Sequence, residues 1–501
     1  MPAVSLPSEL RGMRTHPTAI GLDLGTSAVK AVLLAADGRL LGEASSPLTL
    51  QRPRPGWAEQ HPADWLTAAD GAVRALRSRV DVADWAAAGA LAIAGQMHGA
   101  VLLDAEGAVL RPAILWNDGR SHDQCAALEQ AEPATRAITG NRAMAGFTAP
   151  KLLWVAEHEP AVFARIGRVM LPKDWLLLCL SGVVATDCSD AAGTLWLDLA
   201  ARDWSEPMLR ACGLRRTQLP ALHEGPDVVG KLLPHWSATW GLREGLLVAA
   251  GAGDNAAGAV GIGAVRPGDG FVSLGTSGVL FVVTDGPAAN PARGVHSFCH
   301  ALPGTWHQMA VMLSAAASLE WLAGVTGAAA GELVASLAGE PRPDAPLFLP
   351  YLSGERTPHA DPAARGAFLG LAAGTNRDDL AYAVLEGVAF GLADGLEALV
   401  ERGTPPQRLL AIGGGARSDA WLQLLADTLG LTIARPAGAE VGPALGAARL
   451  AQIAIGLPAD QVLRAPPVDR AFTPCPDAQA RLAPRRERFR RAYEPVRALG
   501  A

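Results

Sequence analysis

The segment Asp23-Leu24-Gly25-Thr26-Ser27 gathers a carboxylate, a glycine and two hydroxyls within one short stretch. Gly25 allows a tight turn without a Cβ, so backbone N–H groups can converge on an anion. Thr26 and Ser27 add hydroxyl donors, and Lys30 follows closely. Asp23 could hold Mg2+ through water, because a hard cation bound to phosphate takes few protein ligands. Alone, the segment reads as a Ser/Thr turn closing a hairpin. The same four residues, Leu-Gly-Thr-Ser, return at Leu274–Ser277 with Gly275 and Thr276 at the turn. That recurrence shifts the balance, since two such turns could clamp a polyphosphate from both sides. Gly413-Gly414-Gly415, after a strand-like run and before a helical one, would let a flat base approach the backbone. Its plainer reading is a tight strand–helix connection.

Other segments bear on an alcohol substrate. Asp254-Asn255 lies in a glycine-rich approach to a helical run, where Asp254 suits a helix N-cap and also a general base for an alcohol. Taken alone, the segment favours the cap. His98, in Gln96-Met97-His98-Gly99, could donate a hydrogen bond to a polyol while Met97 packs on its carbon chain. Without context, a satisfied core histidine is the better reading. Trp116 in Trp116-Asn117-Asp118-Gly119-Arg120 offers a flat apolar wall, as Trp57 does more weakly, although both also fit ordinary packing. Neither HExxH, GxSxG, GxxxxGK[ST] nor a GxGxxG after the first strand occurs. No cysteine cluster supports a thiol nucleophile or zinc.

These residues need a scaffold. Thr18–Leu24 and Ala28–Leu34 flank the first turn as a β-hairpin, and Arg39–Glu43 reads as a third strand. Apolar spacing predicts a helix over Pro62–Val80, and Ala90–Ala94 a short buried strand. Phe271–Val283 predicts the second hairpin. Helices follow at Ser314–Leu322 and Asp378–Leu399, then a strand at Arg408–Ile412 and helices at Ser418–Leu429 and Val441–Ile455. Strands first, then strand–helix alternation, predict mixed sheets flanked by helices. The chain reads as two copies of one architecture joined near Gly263–Pro267, with a ligand cleft between them.

Composition limits the alternatives. The chain has 501 residues, 50% hydrophobic and 18% charged, which excludes a wholly disordered polymer. Its net charge of −6 disfavours nucleic-acid binding. The one basic cluster, Arg485–Arg491, reads as the solvated face of a terminal helix. Six scattered cysteines without CxxC suggest reduced thiols in the cytoplasm. The first 17 residues lack a signal-peptide core and read as a frayed extension. No stretch suits a membrane span; the longest apolar run contains Asp254 and many glycines.

As an ordered set, the motifs resemble those of the FGGY carbohydrate kinases, relatives of actin, hexokinase and the heat-shock chaperone ATPases. Gly21–Ser27 and Leu274–Gly278 resemble the two phosphate motifs, and Ile412–Ser418 the adenosine motif. Phe147–Trp154 resembles the first family signature, and Gly366–Leu371 through Glu386 the second. Gly95–Ala100, Ile114–Arg120, Leu171–Asp174, Ser189–Thr194, Gly253–Gly258, His296–Pro303 and Tyr351–His359 resemble the xylulose-phosphorylating members. The resemblance implies an α/β, two-lobed, actin-like (ribonuclease H-like) fold, each lobe a mixed five-stranded sheet flanked by helices. It implies an N-terminal lobe over 18–263 and a C-terminal lobe over 264–490. It also implies phosphorylation of D-xylulose at its 5-hydroxyl by ATP and Mg2+, in a cytoplasmic and homodimeric enzyme. By position, Asp254 matches the base, and Met97, His98 and Asn255 match sugar contacts. Trp116 is a looser match to a sugar-facing aromatic. Asp23 matches the Mg2+-linked aspartate. Gly25, Thr26, Ser27, Gly275 and Thr276 match phosphate-loop positions, and Gly414 and Gly415 the nucleotide wall. Some relatives carry Asn where this chain has Asp419, so no adenine contact is carried over there. The rival expectations are a kinase of ribulose or glycerol, and an actin-like or chaperone-type ATPase. Related glycerol kinases carry Arg-Glu where Met97-His98 stands.

Overall fold

The computed structural model describes residues 17–335, 342–437 and 442–500. Its sheet strands are β1 (Thr18–Leu24), β2 (Ala28–Leu34), β3 (Leu40–Pro47), β4 (Ala88–Gly95), β5 (Val228–Lys231), β6 (Leu247–Ala249) and β7 (Ala252–Gly253) in the first half. The second half adds β8 (Gly270–Leu274), β9 (Gly278–Thr284), β10 (His296–Cys299), β11 (Trp306–Met312), β12 (Arg408–Ile412), β13 (Thr432–Pro436) and β14 (Val468–Phe472). The helices that matter for the site are α1 (Pro62–Arg77), α2 (Thr148–His158), α3 (Pro172–Ser181), α4 (Cys188–Ala192) and α5 (Asp254–Ile262). Later in the chain come α6 (Ala316–Thr326), α7 (Arg377–Val400), α8 (Asp419–Leu429), α9 (Pro443–Ala454) and α10 (Pro476–Gly500).

The chain divides into two compact units. The first holds the chain through Val265, with Phe298–Trp306 and Val441–Ala465; the second holds Arg266–Ser297, His307–Glu440 and Pro466–Ala501. The first boundary falls close to the expected division at residues 263 and 264. A single cut does not describe the rest, because α9 returns to the first unit, where it packs on β1, β4 and α5. The expected helix over Val441–Ile455 begins at Pro443, and Val441 lies outside the described residues. The N-terminal extension expected to fray lies outside them as well.

In the first unit the strand order is β5-β6-β4-β1-β2-β3, with β7 pairing beside β6 on β4. β1 is antiparallel to β2 and parallel to β4. Such a central strand must be apolar on both faces. Ile20, Leu22 and Leu24 enter the core shared with Trp65, Val73 and Leu76 of α1. Ala19 enters the opposite core with Ala447 and Leu450 of α9. α1 starts where His61 Nδ1 accepts from the Ala63 N–H and Pro62 occupies the first turn. It stops at Arg77, short of the expected Val80.

In the second unit the order is β10-β11-β9-β8-β12-β13-β14. β8 is antiparallel to β9 and parallel to β12, as β1 is to β2 and β4. Val272, Leu274 and Leu280 of the sheet share a core with Leu392 of α7 and Trp421 and Leu425 of α8. Each sheet therefore carries seven strands where five were expected. A common core of five (β3-β2-β1-β4-β6 and β11-β9-β8-β12-β13) is extended by one antiparallel edge strand in each unit, β5 and β14. β7 and β10 complete the counts.

The basic C-terminal cluster is not simply a solvated face. Arg485 is buried, with Nε and Nη2 each donating to the Glu386 carboxylate at 2.6 Å. Arg486 and Arg490 pair with Asp394 of α7. Among the described residues, no helix is long and apolar enough to cross a membrane.

Candidate active site

In the first unit the turn between β1 and β2 is tied down by side chains. Gly25 N–H donates to Ala28 O at 3.1 Å. Trp116 Nε1 donates to Thr26 Oγ1 at 2.9 Å, and Thr26 Oγ1 donates to Gln96 Oε1 at 2.8 Å. Gln96 Nε2 donates to Gln60 Oε1 at 3.0 Å, and Gln60 Nε2 returns to Thr26 O at 2.7 Å. The Thr26 hydroxyl is thus engaged in both directions, which leaves phosphate contact to the backbone of the turn and to the exposed Ser27. Trp116 is 46% exposed and its indole is anchored to this turn. Trp57 instead packs edge-on against Trp154 at 5.3 Å, beneath the Arg120 guanidinium.

β4 ends at Gly95, beside the end of β1, and delivers Met97 and His98. His98 adopts φ 70°, a left-handed conformation rare for a residue with a Cβ. Its Nδ1 lies 2.7 Å from Gly193 O, just after α4. A carbonyl cannot donate, so Nδ1 carries a proton and donates to it. Only glycine fits at 193: a Cβ there would lie 2.5 Å from His98 Nδ1 and 2.9 Å from Met97 Cε. Met97 is buried and also lies against Gly253, the residue before Asp254.

Asp254 is the first residue of α5, and the N-cap is Gly253, so the helix-cap reading of Asp254 does not hold. Its Oδ1 accepts from Asn255 N–H at 2.7 Å and from Asn255 Nδ2 at 2.9 Å. The preceding strand, β7, is fixed from below. Lys173 Nζ, fully buried, pairs with Asp174 at 2.6 Å and Asp187 at 2.8 Å. Asp187 accepts from the Ser189 hydroxyl, and Ser189 Oγ accepts from Gly253 N–H at 3.1 Å.

The electrostatics follow from this packing. Burial pushes the Asp254 carboxyl up to about 6, and the Asn255 hydrogen bonds restrain the rise. Burial, then the Asp254 charge, push Asp23 up to about 7 against the pull of Lys30. Asp190 is raised well above the usual range by burial, and Asp174, Asp187 and Asp254 add to the rise against Lys173. Neither Asp190 oxygen has a hydrogen-bond partner. Asp254 is thus one of a group of carboxylates that act on one another. Asp23 Oδ1 is buried and likewise without a partner. An oxygen anion held up by a neighbouring negative charge fits a hard cation. No cluster of three or more metal-ligating side chains exists among the described residues, so such a cation would draw its other ligands from phosphate and water.

The second unit brings its own residues together. Gly275 and Gly413–Gly415 are neighbours, because β8 runs parallel to β12 with Ser273 opposite Ile412. Gly413 has φ 87°, and a Cβ there would lie 2.9 Å from the Leu274 carbonyl. Around Gly414 a Cβ would meet nothing within 4 Å, which leaves room for a flat group. The carbonyls of Gly275 and Thr276 accept from Ala316 N–H and Ala315 N–H, both at 2.9 Å, at the start of α6. The Asp419 carboxylate is held by Arg435 at 2.7 Å and by Arg470, which accounts for it without an adenine contact.

Each unit thus carries a matching strand–turn–strand hairpin, the first with buried carboxylates beside it and the second with a bare glycine wall. Residues 18–261 match the N-terminal domain of the FGGY family of carbohydrate kinases, and residues 270–455 match its C-terminal domain. The chain belongs to that family. It is 51% identical over 486 residues to a xylulose kinase of Escherichia coli, covering 96% of this chain and 100% of the relative. A xylulose kinase of Bacillus subtilis is 39% identical, covering 87% and 88%. The crystal structure of a xyloylose kinase from Brucella ovis superposes with a TM-score of 0.93 at 48% identity, covering 96% and 100%.

Several residues in these networks had no role assigned from sequence. Lys173, Ser189, Asp190 and Gly193 lie in stretches that carried the family resemblance, yet their types alone gave no chemistry. Gln96 lies in such a stretch as well, whereas Gln60 had no local signal, because it meets Gln96 only across 36 residues of chain.

Proposed function

We propose that the protein transfers the γ-phosphoryl group of MgATP to the 5-hydroxyl of D-xylulose, giving D-xylulose 5-phosphate and ADP. The observation that carries this reading is Asp254, a buried carboxylate with a raised affinity for protons, on the same unit as the Met97–His98 pair. Phosphoryl transfer asks chiefly for positioning and charge neutralisation. Asp254 takes the proton from the primary alcohol as that oxygen attacks phosphorus. Its own proton affinity, near 6, leaves it mostly ionised at neutral pH yet a competent acceptor. His98 Nε2 accepts from a ketose hydroxyl, Met97 packs along the carbon chain, and Asn255 and Trp116 complete the sugar contacts.

Gly25, Thr26 and Ser27 in the first unit, and Gly275 and Thr276 in the second, are assigned to phosphate. Gly414 and Gly415 are assigned to the nucleotide. Asp23 is the residue that would hold Mg2+, whose charge neutralises the phosphate oxygens when it is bound. The six cysteines are all free thiols, which fits the reducing cytoplasm. A homodimer belongs to the same reading. Kinases of ribulose or glycerol, and filament- or chaperone-type ATPases, are not favoured: the near-full-length relatives above carry xylulose kinase names.

The test is product identification by NMR after incubation with MgATP and D-xylulose, beside ribulose, glycerol and a sugar-free control. Phosphorylation at the 5-oxygen, with ADP release requiring the ketose, is expected. Faster turnover with another acceptor, or ATP consumption without sugar, rejects the reading.

A further inference from the structure

Lys151 of α2 is fully buried, and no carboxylate lies within ion-pair distance of it among the described residues. A buried cation of that kind is costly. Burial holds its ammonium well below the usual lysine range, against the pull of Asp118 and with Arg120 adding to the effect. Its Nζ donates to two backbone carbonyls, His98 O at 2.8 Å and Gly146 O at 2.7 Å. The two carbonyls are its hydrogen-bond partners in place of a counter-ion. Thr148 Oγ1 adds a second donor to His98 O at 3.2 Å.

The residue held in this way is His98, whose backbone is left-handed. A non-glycine residue persists in that region only where its surroundings over-determine it. At His98 they do so from several directions. Lys151 and Thr148 fix the carbonyl, Gly193 O fixes Nδ1, and Phe147 packs edge-on against the ring at 4.8 Å.

We propose that Lys151 is a positioning residue for sugar recognition. Through the His98 carbonyl it holds the left-handed backbone that aims Nδ1–H at Gly193 and so presents Nε2 as an acceptor for a ketose hydroxyl. It touches no substrate itself. The inference rests on the reading that His98 contacts the sugar.

The experiment combines 15N NMR of the histidine rings in the full-length, sugar-free protein with steady-state kinetics of Lys151→Met. In the wild type, His98 should show a single Nδ1–H tautomer. In Lys151→Met that signature should give way to a tautomer mixture. The KM for D-xylulose should rise at least ~10-fold, with the KM for MgATP unchanged. An unchanged tautomer, or a ketose KM within about twofold of wild type, overturns the proposal. If Lys151→Met does not fold, Thr148→Val removes the other donor with little change of shape. It should shift the same two readouts more weakly, and no shift in either overturns the proposal. A wild type inactive on D-xylulose would count against the proposed function, while the ring spectra would still decide whether Lys151 sets the His98 tautomer.

Discussion

The two Leu-Gly-Thr-Ser hairpins share a sequence but not a construction. In the first, the last paired residues are Leu24 and Val29, enclosing Gly25–Ala28. In the second they are Leu274 and Gly278, enclosing Gly275–Ser277, so the turn is one residue tighter. The first is braced by the side-chain chain Trp116–Thr26–Gln96–Gln60. The second is braced by backbone, with the N–H groups at the start of α6 donating to its carbonyls. Before the first turn stands Asp23, paired across the strands with Lys30; before the second stands Ser273, opposite Val279. One fold motif thus serves twice, and the titrating chemistry is concentrated in one copy. The copy without charge is the one beside the glycine wall.

The largest expected effect tests that division of labour. If the first unit holds the reactive carboxylate, Asp254→Ala should lower kcat at least ~10²-fold, about 2.7 kcal/mol of barrier. The KM for MgATP should change little, because the nucleotide wall lies in the other unit. Steady-state kinetics with varied ketose and nucleotide would check this, and near-normal turnover would remove Asp254 as the base. A second comparison sets the two threonines against each other. Thr26→Val deletes a hydroxyl that both donates and accepts, leaving the buried Gln96 amide oxygen and the Trp116 indole N–H without that partner. It should cost ~1–3 kcal/mol in urea unfolding. Thr276→Val, at an exposed position whose neighbours hold only its backbone, should stay within ~0.5 kcal/mol of wild type. Equal costs at the two sites would show that the braces do not differ as described.

How much of this the sequence disclosed follows from which interactions are local. The hairpins, α7 and α8 were legible because their signals lie within the element: apolar runs around a small turn, and apolar residues at helical spacing. α9 was legible as a helix but not as part of the first unit, since its partners β1 and β4 lie hundreds of residues away. Two edge strands were missed because β5 and β14 are short and largely exposed, without an alternating pattern. At the site, Asp23, Met97, His98 and Asp254 stood out by type and by their glycine-rich surroundings. Lys173, Asp187 and Ser189 did not, because one cation buried among carboxylates becomes visible only once α3, α4 and β7 meet. The fixed orientation of the His98 ring was hidden for a related reason: its Nδ1 is held by Gly193 O, ninety-five residues downstream.

The smallest expected effect probes the charge that separates the hairpins. Asp23→Ser gives the first hairpin the residue that the second already has. Below the ordinary carboxyl value of 3.8, the folded and unfolded chains both hold the Asp23 proton. Between 3.8 and about 7 only the folded protein holds it, so its stability falls as pH rises through that window. Above the window the folded protein carries a buried, partly compensated charge that serine would not. Without Mg2+ or nucleotide, Asp23→Ser should therefore be more stable than wild type at pH 8 by at least about 1 kcal/mol. The gain should shrink steadily as pH is lowered toward 4, measured by urea unfolding at several pH values. Asp190 and Asp254 titrate in both proteins and largely cancel from the difference. A pH-independent gain would assign the effect to packing and not to charge, and a loss of stability at pH 8 would mean that Lys30 compensates Asp23 in full. Turnover should fall in the same variant, because the carboxylate that destabilises the empty site is the one assigned to the metal.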